Sequence, residues 1–194
     1  MNDILRVILK VIGLEMINKR PLTPELVRSS IQGIRPRYKS RLEGLLRMAS
    51  SDSAIGRLEL DLHPWLSAKA FPVGASACTE KRVDPRTPVS NAIVNFFKHE
   101  PALLPPDFRD LPIGRGDVAG LSFVAESDWI AEALTMETQA IWTELQAAVR
   151  PTLGVYLGTD IWVQEEESTD GIKLLNLRSG QWGMTLIRRS DGCE

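Results

Sequence analysis

Residues 160–189 read DIWVQEEESTDGIKLLNLRSGQWGMTLIRR, and their pattern decides the fold class. Apolar residues alternate with polar ones, and two turn-forming groups, Ser168-Thr169-Asp170-Gly171 and Arg178-Ser179-Gly180-Gln181, interrupt the alternation. The spacing predicts a three-stranded antiparallel meander. With Ile172 opposite Glu166, Val163 faces Leu175 and Ile161 faces Leu177; in the next pair, Leu177 meets Trp182 and Leu175 meets Met184. One face then collects Ile161, Val163, Leu175, Leu177, Trp182, Met184 and Leu186, which makes it the core face. In this register Glu165 stands opposite Lys173 as a cross-strand ion pair.

The register also judges the run Glu165-Glu166-Glu167. Successive side chains of a strand point to opposite faces, so the three carboxylates cannot converge on one ion while the strand stays regular. Glu167 and Asp170 beside the turn could hold a hard cation only with help from other loops. A solvated hairpin tip is the expectation, with no metal and no cofactor.

Upstream, residues 128–149 carry the clearest helical period. Ile130, Leu134, Ile141, Leu145 and Ala148 form one stripe, widened by Trp129, Ala133, Met136 and Ala140. Ser127 is placed as its N-cap and Arg150-Pro151 as its stop. The preceding segment, VAGLSFVAE (118–126), reads as a strand. Before it, PIGRGDVAGLSFV (112–124) holds Gly114, Gly116 and Gly120, but Pro112 precedes them and no strand does. A dinucleotide-binding loop needs a strand before it and a helix after it, so a turn is the expected role. The tripeptide Arg115-Gly116-Asp117 is set aside as a chance match in a chain without a secretion signal.

Further back, RLELDL (57–62) alternates Leu58, Leu60 and Leu62 with Arg57, Glu59 and Asp61, as a half-buried strand does. Residues 67–90 are rich in Pro, Gly, Ala and Ser without sustained period and read as a long connection. Asn91–His99 reads as a short helix capped by Ser90, with Ile93, Phe96 and Phe97 inward. The first fifty residues read as wholly helical. Ile4–Ile17 is apolar around most of its circumference, Thr23-Pro24-Glu25 starts a second helix, and Pro36 opens a third in which Tyr38, Leu42, Leu45, Leu46 and Ala49 face inward. The expected fold is α+β: a helical region 1–50 packed on an α+β portion 51–194, as two units or one continuous domain.

Composition bounds function. With 194 residues, 43% of them hydrophobic, the chain can bury a full core. Arg6, Lys10 and Glu15 interrupt the apolar run near the start, which is too short for a bilayer span and lacks a basic leader, so a cytoplasmic protein without a membrane is expected. Cys78 and Cys193 are far apart, with no zinc spacing around them.

The net charge of −2 conceals a split. Residues 1–50 hold ten Lys/Arg against four Asp/Glu, so the remainder carries a surplus of eight negative charges. The cations Arg28, Arg35, Arg37, Lys39, Arg41 and Arg47 are therefore the candidate binding residues. The expected function is a non-enzymatic interaction subunit or adaptor that uses this segment on nucleic acid or an acidic protein. That expectation requires the cations to face outward, unmatched by the chain's own acids. The alternative is a hydrolase or nuclease with its site in loops 67–90 and 100–117. It would need Cys78, His99, Asp117 and Glu126 to converge, with His63 or His99 beside a Cys78 thiol activated by Lys81 and Arg82. No nucleophile motif surrounds any of them.

Overall fold

The structure, a computed structural model, describes residues 22–67, 69–104, 120–159 and 171–186. The first element among the described residues, α1 (Pro24–Ser51), starts as the sequence dictates. Thr23 caps it by accepting from the Leu26 amide at 3.3 Å, and Pro24 occupies the first turn, where no amide hydrogen is needed. Pro36 does not open a new helix, as expected from sequence; it lies inside α1. The reason is positional. Pro36 is exposed, so the carbonyl that loses its amide partner, that of Gln32, can turn to water while the apolar stripe on the opposite side runs on unbroken. Val27, Ile31, Tyr38, Leu42, Leu45, Leu46 and Ala49 are all buried along that stripe.

Next come β1 (Arg57–Leu62), a 3-10 turn (Pro64–Leu66), β2 (Val73–Cys78), α2 (Pro88–Val94), α3 (Gly120–Leu145) with a terminal 3-10 turn, β3 (Gly154–Thr159), β4 (Gly171–Asn176) and β5 (Gln181–Leu186). They build a mixed sheet in the order β2-β1-β3-β4-β5, in which only β1 and β3 run parallel. The chain is α+β, and β3 to β5 form the C-terminal meander. Leu22 and the buried stripe of α1 share one core cluster with Leu58, Leu60 and Leu62 of β1, Ile130, Leu134 and Ile141 of α3, and Val155 and Leu157 of β3.

Three expectations need correction. The strand read over 118–126 is overturned from residue 120 onward, because α3 begins at Gly120 and carries Ser127 in its interior rather than as a cap. The helical period of 128–145 extends backward, and it outweighs the β-propensity of Phe123 and Val124. Within the long connection, Val73–Cys78 forms β2, antiparallel to β1; its small residues hide the alternation that burial reveals, with Val73, Ala75 and Ala77 on the core side. The meander is displaced as well. Its first strand lies at Gly154–Thr159, so Lys173 stands opposite Thr159 instead of Glu165, and Leu175 stands opposite Trp182 instead of Met184. The slip between β4 and β5 is by two residues, which conserves the faces.

The predicted helix near 91–99 starts earlier, at Pro88, because Thr87 and Ser90 form a reciprocal capping box. Among the described residues, no helix is long and apolar enough to cross a membrane. The segments 2–19 and 112–119, Asp117, and the carboxylates Glu165, Glu166, Glu167 and Asp170 lie outside the described residues.

Candidate interaction surface

The basic segment is where α1 meets the rest of the chain. Arg35 pairs with Glu137 and, at 2.7 Å, with Glu144 of α3; Lys39 reaches the same Glu144 at 2.5 Å. Arg41 lies 2.8 Å and Arg37 3.6 Å from Glu100, and Arg41 also donates to the Phe96 carbonyl while lying over the Phe96 ring. Arg47 pairs with Glu43 one turn away. Of the six candidate binding residues, only Arg28 forms no ion pair among the described residues, and it is exposed. The cations therefore face acids of their own chain. The condition on which a free basic surface depends is not met for Arg35, Arg37, Lys39, Arg41 and Arg47. Lys39 and Arg35 together hold the Glu144 carboxyl below the usual carboxylate range, Lys39 contributing most.

Of the residues proposed for hydrolysis, Cys78, His63 and His99 do not come together, Glu126 lies in α3, and Asp117 is outside the described residues. Cys78 is buried at the end of β2 opposite Arg57, whereas His63 follows Leu62, the partner of Val73 at the other end of the hairpin. Six strand residues separate the two ends, about 20 Å. His99 is exposed beyond α2. Among the described residues no group of three His, Cys, Asp or Glu side chains could hold a metal ion. A hollow of about 410 Å³ lies near Ser53–Gly56, Thr79–Lys81 and Arg150. Its lining carries Glu80, Lys81 and Arg150, and the Arg150 guanidinium is engaged by the Asp52 and Ile55 carbonyls.

The sheet itself presents the feature that sequence reading missed. Register places Ala75, Leu60, Leu157, Leu175 and Trp182 in one transverse row on the core face. The first four are buried, but the row ends in Trp182, 45% exposed on β5 at the sheet's edge. The two edges differ. α2 packs against β2, whereas the chief neighbour of β5 among the described elements is β4 alone. Gln181–Leu186 contains no charged residue, so β5 lacks the lysine or glutamate that commonly protects an edge.

On the opposite face the next row reads Ser76, Glu59, Tyr156, Asn176 and Gln181, and the row beside it Gly74, Asp61, Gly158, Leu174 and Gly183. Arg57 pairs with Glu59 and lies 3.6 Å from the centre of the Tyr156 ring, a cation held over an aromatic face. Arg82 approaches the same Glu59 carboxylate at 3.7 Å. Leu174 and Cys78 are buried on this face yet stand apart from the core cluster. Where the face meets β5, a groove of about 240 Å³ opens among Arg57, Tyr156, Asn176, Ser179, Gln181 and Gly183.

No family model matches the chain, and neither the curated proteins nor the solved structures include a match to it.

Proposed function

We propose that this protein is a non-enzymatic interaction subunit of the cytoplasm that takes an extended segment of a protein partner alongside β5, as an added strand. The observation that carries the reading is the uncharged strand β5 at the sheet's edge, whose chief neighbour among the described elements is β4, while the other edge is packed by a helix. Strand addition draws its affinity from main-chain hydrogen bonds and its specificity from alternate side chains. An exposed Trp beside the added strand supplies a large, rigid contact at small entropic cost. This reading keeps a protein partner and moves its docking site from the basic helix to the sheet edge.

The test compares two sets of variants in co-purification from the native source. Gly183→Lys and Trp182→Glu place charge on the edge; a Cβ at Gly183 meets nothing within 4 Å, so the lysine does not disturb the free fold. Arg28→Glu with Arg47→Glu reverses exposed charge on α1 instead. The proposal expects a partner to be lost with the first set and kept with the second. Loss with the second set alone would return the partner to the basic helix.

A further inference from the structure

We infer that the strand added along β5 is β5 of a second copy of this chain, the two running antiparallel about a twofold axis normal to the sheet. This inference rests on the strand-addition reading and names the partner. The two five-stranded sheets then join edge to edge into one continuous sheet. The other edge, β2, is packed by α2, so the pairing closes as a dimer and does not run on into a fibre.

Two observations on β5 carry it. Gln181–Leu186 pairs with β4 position by position without a bulge, and it contains neither proline nor a charged residue. Bulges, prolines and charges are the devices by which an edge strand keeps off a copy of itself, and β5 has none of them. Near a twofold axis a charged side chain lies opposite or diagonal to its own copy, where like charges repel, so an uncharged strand is what self-pairing requires. A strand from a different protein imposes no such condition.

The second observation is Gly183, in the middle of the strand. Glycine weakens a strand interior, and it belongs where the backbone takes positive φ or where another backbone approaches closely. The φ of Gly183 is not positive, and a Cβ built on it meets nothing within 4 Å. Its own chain therefore gives no reason for the missing side chain among the described residues, whereas a neighbouring strand does. An axis normal to the sheet keeps each face on its own side, so odd-numbered residues pair with odd-numbered ones. That rule admits Gly183 opposite Gly183, with Gln181 opposite Thr185, and places two bare Cα atoms at the axis where the chains meet.

The measurement is the mass of the full-length protein in solution, by sedimentation equilibrium from low to high micromolar concentration. The wild-type chain is expected at twice the mass of one chain. Gly183→Lys and Gly183→Glu are each expected to stay at the mass of one chain over the whole range, because like charges then meet at the axis. An equimolar mixture of the two variants is expected to regain the doubled mass, since opposite charges now face each other; that recovery also shows both variants to be folded. A mixture that stays at the mass of one chain overturns the β5 joint, as does a doubled mass retained by both variants alone, which seats the second copy elsewhere. A wild-type chain of single mass at high micromolar concentration overturns the second copy. Strand addition itself then stands if Gly183→Lys still loses a protein in co-purification, and falls too if nothing is lost.

Discussion

Tyr38 and Thr138, 100 positions apart in the chain, meet hydroxyl to hydroxyl at 2.8 Å in the buried seam between α1 and α3. Thr138 donates its own hydrogen to the Leu134 carbonyl, so Tyr38 is the donor in the pair. The two partners are therefore unequal. Tyr38→Phe removes a hydrogen bond but leaves Thr138 satisfied, and should cost about 0.5 to 1.5 kcal/mol. Thr138→Val keeps the volume but strands the Tyr38 hydroxyl in the core, and should cost about 1 to 3 kcal/mol. Urea unfolding of the two variants checks the order; a Tyr38→Phe loss larger than that of Thr138→Val would show that the donor has been assigned wrongly.

The same burial sets an alkaline limit. Desolvation pushes the Tyr38 hydroxyl up to about 12, with the Glu137 charge acting in the same direction. A folded-state value above the unfolded one means the contribution is fully present below pH 10 and is lost as pH rises from 10 through about 12. The loss should approach about 2 to 3 kcal/mol and should be absent in Tyr38→Phe. Stability measured from pH 9 to 12, alongside the 295 nm absorbance of the two tyrosines, tests this; a single tyrosinate transition near pH 10 for both residues would refute it.

How far the sequence could be read depends on which pattern each segment carries. RLELDL and the helical stripe before Arg150 were legible because a regular period coincides with burial. β2 was not, since Gly74, Ala75, Ser76 and Ala77 are too small for polarity to mark their faces, and its pairing with β1 is made by partners 11 to 21 residues back in the chain, from Leu62↔Val73 to Arg57↔Cys78. The helical start of α3 was obscured by Phe123 and Val124, which favour strands when taken alone. The ion pairs were partly legible. Glu137 and Glu144 lie seven residues apart on the flank of the Leu134–Ile141 stripe, the spacing that puts two carboxylates on one side of a helix. The edge position of β5 was invisible, because sequence gives strands but not their order in the sheet.

Pro36 offers a test of how α1 tolerates a break. Its ring removes one backbone hydrogen bond on the exposed side, so Pro36→Ala restores an amide donor to the Gln32 carbonyl where nothing crowds the new residue. The restored bond outweighs the entropy that proline withholds from the unfolded chain, and a gain of about 1 to 2 kcal/mol is expected. Thermal unfolding followed by circular dichroism measures it. A fall in stability would mean that Pro36 bends α1 as its packing on α3 requires.

Glu100, Glu137 and Glu144 each hold cations of α1, so the charge of Arg35, Arg37, Lys39 and Arg41 is matched within the chain. The wild-type protein should therefore leave a heparin column at low salt and bind a generic DNA duplex weakly. Replacing all three glutamates by Gln releases Arg35 and Lys39 on one side of α1 and Arg37 and Arg41 on the other. The variant should gain affinity for the duplex that falls steeply as salt rises, as counterion release demands. Glu144 adds a pH signature. Its carboxyl is held below the usual range, so its contribution to the α1–α3 contact is present above the ordinary carboxylate value and is lost as pH falls through the lowered one. Glu144→Gln should accordingly flatten the acid side of the stability curve. Strong, salt-sensitive duplex binding by the wild-type protein would mean that these cations separate from their glutamates in solution, and would restore the basic helix as the interaction surface.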